Sequence, residues 1–203
     1  LFAVFVHAAP LPESDGLVHE GVASCASSIC HGRVEPDTNA TVWLNEYRIW
    51  LREDKHSGAY KILLSEQSKS IAAKLNLPNA HEAPECLACH ADNVPVAMQG
   101  EKFRIEDGVG WEACHGGSEY WLKTHTEKNA THESNISQGL YPSDLVVERS
   151  ELCLSCHLGT NSKFATHKIM GAGHPRLSFD LQAFGVNQPY HYGVDEDYPA
   201  RKT

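Results

Sequence analysis

Between Thr41 and Leu77 apolar side chains recur at helical spacing: Val42, Trp43, Tyr47, Trp50 and Leu51, then Ile62, Leu63, Ile71 and Leu75. Pro78 closes the run, and Ser57-Gly58 in its middle predicts a break, so the stretch reads as one bent helix or two with His56 at the bend. A further helix is expected over residues 143–156. Beyond residue 80 the other apolar runs are short and cut by Gly, Pro and Asn, and no alternation of period two marks a strand. The pattern therefore predicts a mainly α chain with extensive irregular loops and few or no β-strands. Short helices joined by loops carry little apolar mass of their own, so the expected core is completed by something other than side chains.

The first ten residues, LFAVFVHAAP, are apolar and end in small side chains, as the tail of a signal peptide does. An apolar terminus has two ways to leave water: docking on a neighbouring subunit, or folding back over its own domain. Both stay open here. The division expected is an N-terminal segment, residues 1–20, and one domain over residues 21–203.

Cysteine and histidine change the picture most. The chain of 203 residues has seven cysteines, an odd number, and thirteen histidines. Four of the histidines directly follow a cysteine, which a disulfide framework does not explain. Cys86-Leu87-Ala88-Cys89-His90 and Cys153-Leu154-Ser155-Cys156-His157 both read Cys-x-x-Cys-His. Two thiols at that spacing each form a thioether to a haem vinyl group, and the adjacent histidine reaches the iron from the same side. No further cysteine pair is placed to complete a tetrahedral zinc site.

A widened version, Cys25-Ala26-Ser27-Ser28-Ile29-Cys30-His31, holds four residues between its cysteines. Either both thiols attach, with the loop bulged, or Cys30 alone does. The stretch GVGWEACHGG, residues 108–117, lacks the first cysteine altogether and has Trp111 in its place. One reading is a haem held by Cys114 alone, with His115 on the iron and Trp111 packed where the thioether is missing. The other is a lost haem. The first accounts for the odd cysteine, since seven is three pairs and one single. Gly116-Gly117 is expected where backbone approaches the macrocycle. Four haems c in 203 residues would then form the core as well as the cofactor.

These four motifs in this order resemble the multihaem cytochromes related to the tetrahaem electron carrier of nitrifying bacteria, in which the third motif has cysteine where Trp111 stands. The likeness runs over residues 20–192 and includes DKHSGAY, WLKTH and IMGAGHPRLSFDL. It implies bis-histidine ligation, with His56, His125 and His174 the first choices as distal ligands and His167 the next. Some extracellular cytochromes similar to this family polymerise into nanowire filaments, a histidine of one subunit ligating a neighbour's haem. His7, and less readily His19, is the residue that resemblance points to.

The net charge of −9 argues against nucleic acid or an anionic membrane surface as partner, and no run of about twenty apolar residues provides a membrane span. Redox proteins or an extracellular electron acceptor, and further copies of the chain, are the expected partners. Haem attachment outside the cytoplasmic membrane makes the expected location periplasmic or extracellular. Two functions stay open: an electron conduit of closely spaced six-coordinate haems, or an oxidoreductase in which one five-coordinate haem reduces a nitrogen oxide, hydroxylamine or peroxide.

Overall fold

The computed structural model describes residues 9–40 and 42–189. Its helices are α1 (Glu46–Glu53), α2 (Ala59–Ile62), α3 (Glu66–Leu75), α4 (Pro84–His90), α5 (Glu112–His115), α6 (Trp121–Thr124), α7 (His132–Ser137), α8 (Val146–His157), α9 (His167–Ala172) and α10 (Leu181–Asn187). Among the described residues there is no strand, only an isolated bridge between His19 and Gln99. None of the described helices is long and apolar enough to cross a membrane.

The run expected over 41–77 splits into three helices. It breaks at the 3-10 turn Lys55–Gly58, as its composition suggests, and again after Ile62, where Ser65 caps the next helix by accepting from Ser68 N at 3.2 Å. Asn76 ends α3 in the left-handed region at φ 58°. Val42 and Trp43 stay outside any helix, because Leu44 takes φ 61° and the chain turns there before Glu46. The expected helix at 143–156 forms as α8, starting at Val146 and running through His157.

The main apolar cluster is small. Tyr60, Leu63, Ala72, Ala80, Leu87 and Ala91 join α2, α3 and α4, with Leu77, Cys86 and Ile105 against them. Helix α9 lies on α3, held by Lys74 Nζ donating to Ala172 O at 3.0 Å and Gln67 Nε2 to Gly173 O at 3.4 Å. Large apolar side chains stay exposed beside the cysteine motifs: Ile29 at 86 % and Leu158 at 71 %.

Residues 9–20 pack into this same body. His19 N donates to Met98 O and Gly100 N to His19 O, both at 2.8 Å, and the ring of His19 is fully buried. His7 and the rest of residues 1–8 lie outside the described residues, and so does the expectation that they dock on a neighbouring subunit.

Candidate functional site

Helix α4 carries Cys86 and Cys89 one turn apart with His90 at its last position; α8 does the same for Cys153, Cys156 and His157; α5 carries Cys114 and His115. One helical turn puts i and i+3 on a common face, as two attachment points on one flat group require. The widened first motif is not helical. Its extra residues fold into a tight turn in which Cys30 N and Gly32 N both donate to Ser27 O and His31 N returns to Cys25 O at 3.1 Å. Cys25 is buried and Cys30 half-buried. Burial, with Glu112 nearby, pushes the Cys25 thiol up to about 12. Cys114 is also pushed up to about 12, by burial and then by the charges of Asp54, Cys153 and Cys156.

The histidines come together in pairs. The rings of His31 and His125 stand 6.3 Å apart between centroids, nearly parallel at 15°. His90 and His174 are also 6.3 Å apart, at 74°, and His56 and His157 6.0 Å apart, at 77°. Two imidazoles on opposite sides of one metal, each bonded at about 2 Å, have ring centres about 6 Å apart. Each pair joins a histidine of a cysteine motif to one from far along the chain.

The tautomers point the same way. Nδ1 of His31 faces Glu46 Oε2 at 2.9 Å, and Nδ1 of His56 faces Asp54 Oδ1 at 2.8 Å. Nδ1 of His90, His125 and His174 faces the carbonyls of Ala59, Trp121 and Pro175 at 3.1, 3.0 and 2.7 Å. Carboxylates and carbonyls only accept, so Nδ1 carries a proton in all five rings and Nε2 is the nitrogen left to face a metal. That is the state a metal-ligating imidazole needs, with its second nitrogen held by an acceptor. Burial pushes His90 and His157 down, which keeps them neutral.

His19 is the contrasting case. Its Nδ1 faces Asp92 Oδ2 at 2.8 Å and its Nε2 faces Pro12 O at 3.3 Å, so both nitrogens meet acceptors, an arrangement that favours the imidazolium. Burial pulls its pKa down, but the Asp92 hydrogen bond and charge, with Glu112 and Asp15, raise it. A ring so engaged inside its own chain is not available to a neighbouring subunit. His167 is exposed on the first turn of α9. Among the described residues it stands in no histidine pair.

The third motif is anchored by its acid. Glu112, 2 % exposed, accepts from Glu20 N, Gly21 N and Ser118 N at 2.7, 2.7 and 2.9 Å, and Tyr141 N donates to His115 O at 2.8 Å. Gly116 and Gly117 serve other backbone: a Cβ on Gly116 would lie 2.7 Å from Gly139 O, and one on Gly117 2.7 Å from Leu17 Cβ. Their lack of side chains admits chain segments 15–19 and 139–141. Trp111 is half-buried, and its indole meets the His31 ring edge-on at 5.1 Å and 72°.

The motifs abut out of sequence order. Trp111 of the third touches His31 of the first. Gly108 and Val109, leading into the third, lie on His56, whose carbonyl accepts from Val109 N at 3.1 Å and whose ring pairs with His157 of the fourth. The thiols of Cys89 in the second and Cys156 in the fourth are neighbours, and this proximity and the cation of Lys163 hold the Cys156 thiol down.

The residues present fit haem c. The thiol and imidazole donors suit iron in a covalently attached macrocycle. The exposed Ile29 and Leu158 are apolar surface at the motifs themselves. The indole Nε1 of Trp121, next to His125, is buried with no partner among the described residues, a donor that a haem propionate would satisfy.

A family model described as cytochrome c554 and c-prime matches residues 24–116. That span is a little under half of the chain and covers the first three motifs. The match supports a c-type multihaem cytochrome with covalently bound haem c that works in electron transfer. No curated protein and no solved structure matches.

No motif in the sequence marks Glu46, Asp54, Trp121 or Glu112 as site residues. Asp54 stands two residues before His56 and Glu112 lies inside the third motif, so position alone points to both. Glu46 carries no local signal, since its partner His31 lies fifteen residues away, whereas Trp121 stands one helical turn before His125.

Proposed function

We propose that the chain is an electron carrier with four haems c, in which His31 and His125, His90 and His174, and His56 and His157 are axial pairs and His115 is the proximal ligand of the third. The observation that supports it most is the set of three histidine pairs at 6.0–6.3 Å, five of their six rings holding the proton on Nδ1.

Haem supplies a one-electron couple at its iron. The side chains do the rest. The paired histidines would hold the iron from both sides, which would keep substrate off it and leave little to rearrange when its charge changes. Glu46 and Asp54 pull on the Nδ1 hydrogens of His31 and His56, making those imidazoles stronger donors and favouring the oxidised state. The contacts between motifs support a path in the order first, third, fourth, second. Trp111 stands at the first junction, and the Cys89–Cys156 contact at the last. Covalent attachment takes place outside the cytoplasmic membrane, so a periplasmic or extracellular location goes with this reading, and redox proteins are the partners.

Pyridine haemochrome analysis of the purified protein, with electron paramagnetic resonance of the ferric form, tests it. Four haems per chain and low-spin signals from the three paired sites are expected. A count of three, or high-spin iron at a paired site that shifts on adding cyanide or nitric oxide, would overturn it, the latter in favour of substrate reduction.

A further inference from the structure

The first site differs from the other two paired sites in what surrounds its rings. His31 meets the indole of Trp111 at 5.1 Å and 72°, and its partner His125 meets the indole of Trp121 at 5.6 Å and 76°. Each imidazole therefore has a tryptophan edge-to-face against it, the arrangement aromatic quadrupoles favour. Between these indoles the two rings are nearly parallel, at 15°. The other pairs stand at 74° and 77°. Their neighbours differ too: His157 stacks on Phe179 at 4.2 Å and 14°.

We infer that Trp111, whose backbone belongs to the third motif, is a positioning residue of the first site, where its indole sets the plane of His31 and, with Trp121 on the opposite ring, holds the axial imidazoles parallel. The geometry supports this at both ends of the residue. Trp111 O accepts from Cys114 N and His115 N at 2.9 and 2.8 Å, so its backbone is the start of the helix that carries the third site. Its side chain leaves that helix and closes on a ligand of the first. A hydrogen bond from Nδ1 to Glu46 limits the swing of the His31 ring without closing it off. The T-shaped contact with the indole adds a second restraint on it.

The mutual orientation of two axial imidazoles sets the splitting of the iron orbitals they face. Parallel planes add their effects and give a rhombic low-spin signal. Perpendicular planes cancel them and give a signal with one very large g value. Trp111 is thus predicted to govern which kind of signal the first site gives, at a position where a cysteine would have served the third site alone. The inference rests on the axial pairing proposed above.

The test uses the haem-loaded protein and its variants Trp111→Ala, Trp111→Phe and Trp111→Cys, read by low-temperature electron paramagnetic resonance with haem content measured alongside. The wild type is expected to give a rhombic signal from the first site besides the large-g signals of the other two pairs. In Trp111→Ala the rhombic signal should move to larger g or broaden while the large-g signals stay in place, and Trp111→Phe should restore it. Trp111→Cys should move it as alanine does, and should also shift the pyridine haemochrome α band to shorter wavelength as a second vinyl group reacts. A rhombic signal unmoved in fully loaded Trp111→Ala and Trp111→Cys overturns the inference and leaves the pairing intact. A wild type without any rhombic signal overturns the pairing of His31 with His125, and the inference with it.

Discussion

Glu46 and Asp54 take the Nδ1 hydrogens of His31 and His56, whereas His90, His125 and His174 give theirs to backbone carbonyls. A carboxylate strengthens the imidazole as a donor to oxidised iron more than a carbonyl does. Glu46→Gln replaces the charge by a neutral acceptor, so the reduction potential of the His31 site should rise. If the change is worth about 0.5–1.5 kcal/mol, the rise is roughly 20–60 mV. A spectroelectrochemical titration in which all potentials stay put would refute it. His19 is predicted to act on stability instead. His19→Ala leaves Asp92 buried without its partner and should cost about 2–4 kcal/mol. Because the folded pKa of His19 is raised, its contribution is complete below about pH 6.5 and fades as pH rises through the folded value. The gap between wild type and His19→Ala in denaturant melts should therefore be wider at about pH 6 than at about pH 9. Thirteen histidines look alike in sequence, and what separates His19 from His31 is whether one ring nitrogen or both meet an acceptor. That information is three-dimensional.

Elements place these residues by short-range rules that sequence shows well and long-range ones that it does not. The cysteine motifs of α4 and α8 are legible because i, i+3 and the following histidine all lie within one helical turn. The break at Lys55–Gly58 is legible because Ser-Gly interrupts a periodic run, but the second break after Ile62 is not, since the apolar spacing continues across it. The pairing of helix ends is the part that sequence hides. His90 ends α4 and meets His174, which follows α9, only because α9 is held on α3 through Lys74 and Gln67. At Gly108 an element of the third motif serves the fourth site. Its φ is 77°, and a Cβ there would lie 2.8 Å from His56 O. Gly108→Ala combines left-handed strain with that clash, costs about 1–3 kcal/mol, and should push His56 away from His157. The expected result is a high-spin ferric fraction in the absorption spectrum that wild type lacks. A purely low-spin variant of lower melting temperature would limit Gly108 to a structural role.

At the scale of the molecule, ten short helices among the described residues must be kept together. Among the described residues the main apolar cluster spans α2, α3 and α4 and leaves α6, α7 and α10 outside. Helix α10 and the segment before it meet the rest through aromatic contacts at the fourth site: Phe179 and Phe184 lie 4.7 Å apart, and Phe179 stacks on His157. Apolar side chains such as Leu158, Phe164 and Phe184 stay largely in contact with solvent around that site. A chain with so little contiguous apolar core stands near the margin of stability by itself. Its fold is therefore expected to depend on haem, as small metal-dependent domains depend on their ion. Cleaving the thioethers with a silver salt and removing the haem should abolish most of the helical circular dichroism and the cooperative thermal transition. The loss should reach α6 and α10, which adjoin His125 and Phe179 at the first and fourth sites, at least as early as α2–α4. Hydrogen exchange resolved by segment would show that order. A stripped chain that still melts cooperatively, with α6 and α10 protected, would mean that side chains alone make the core.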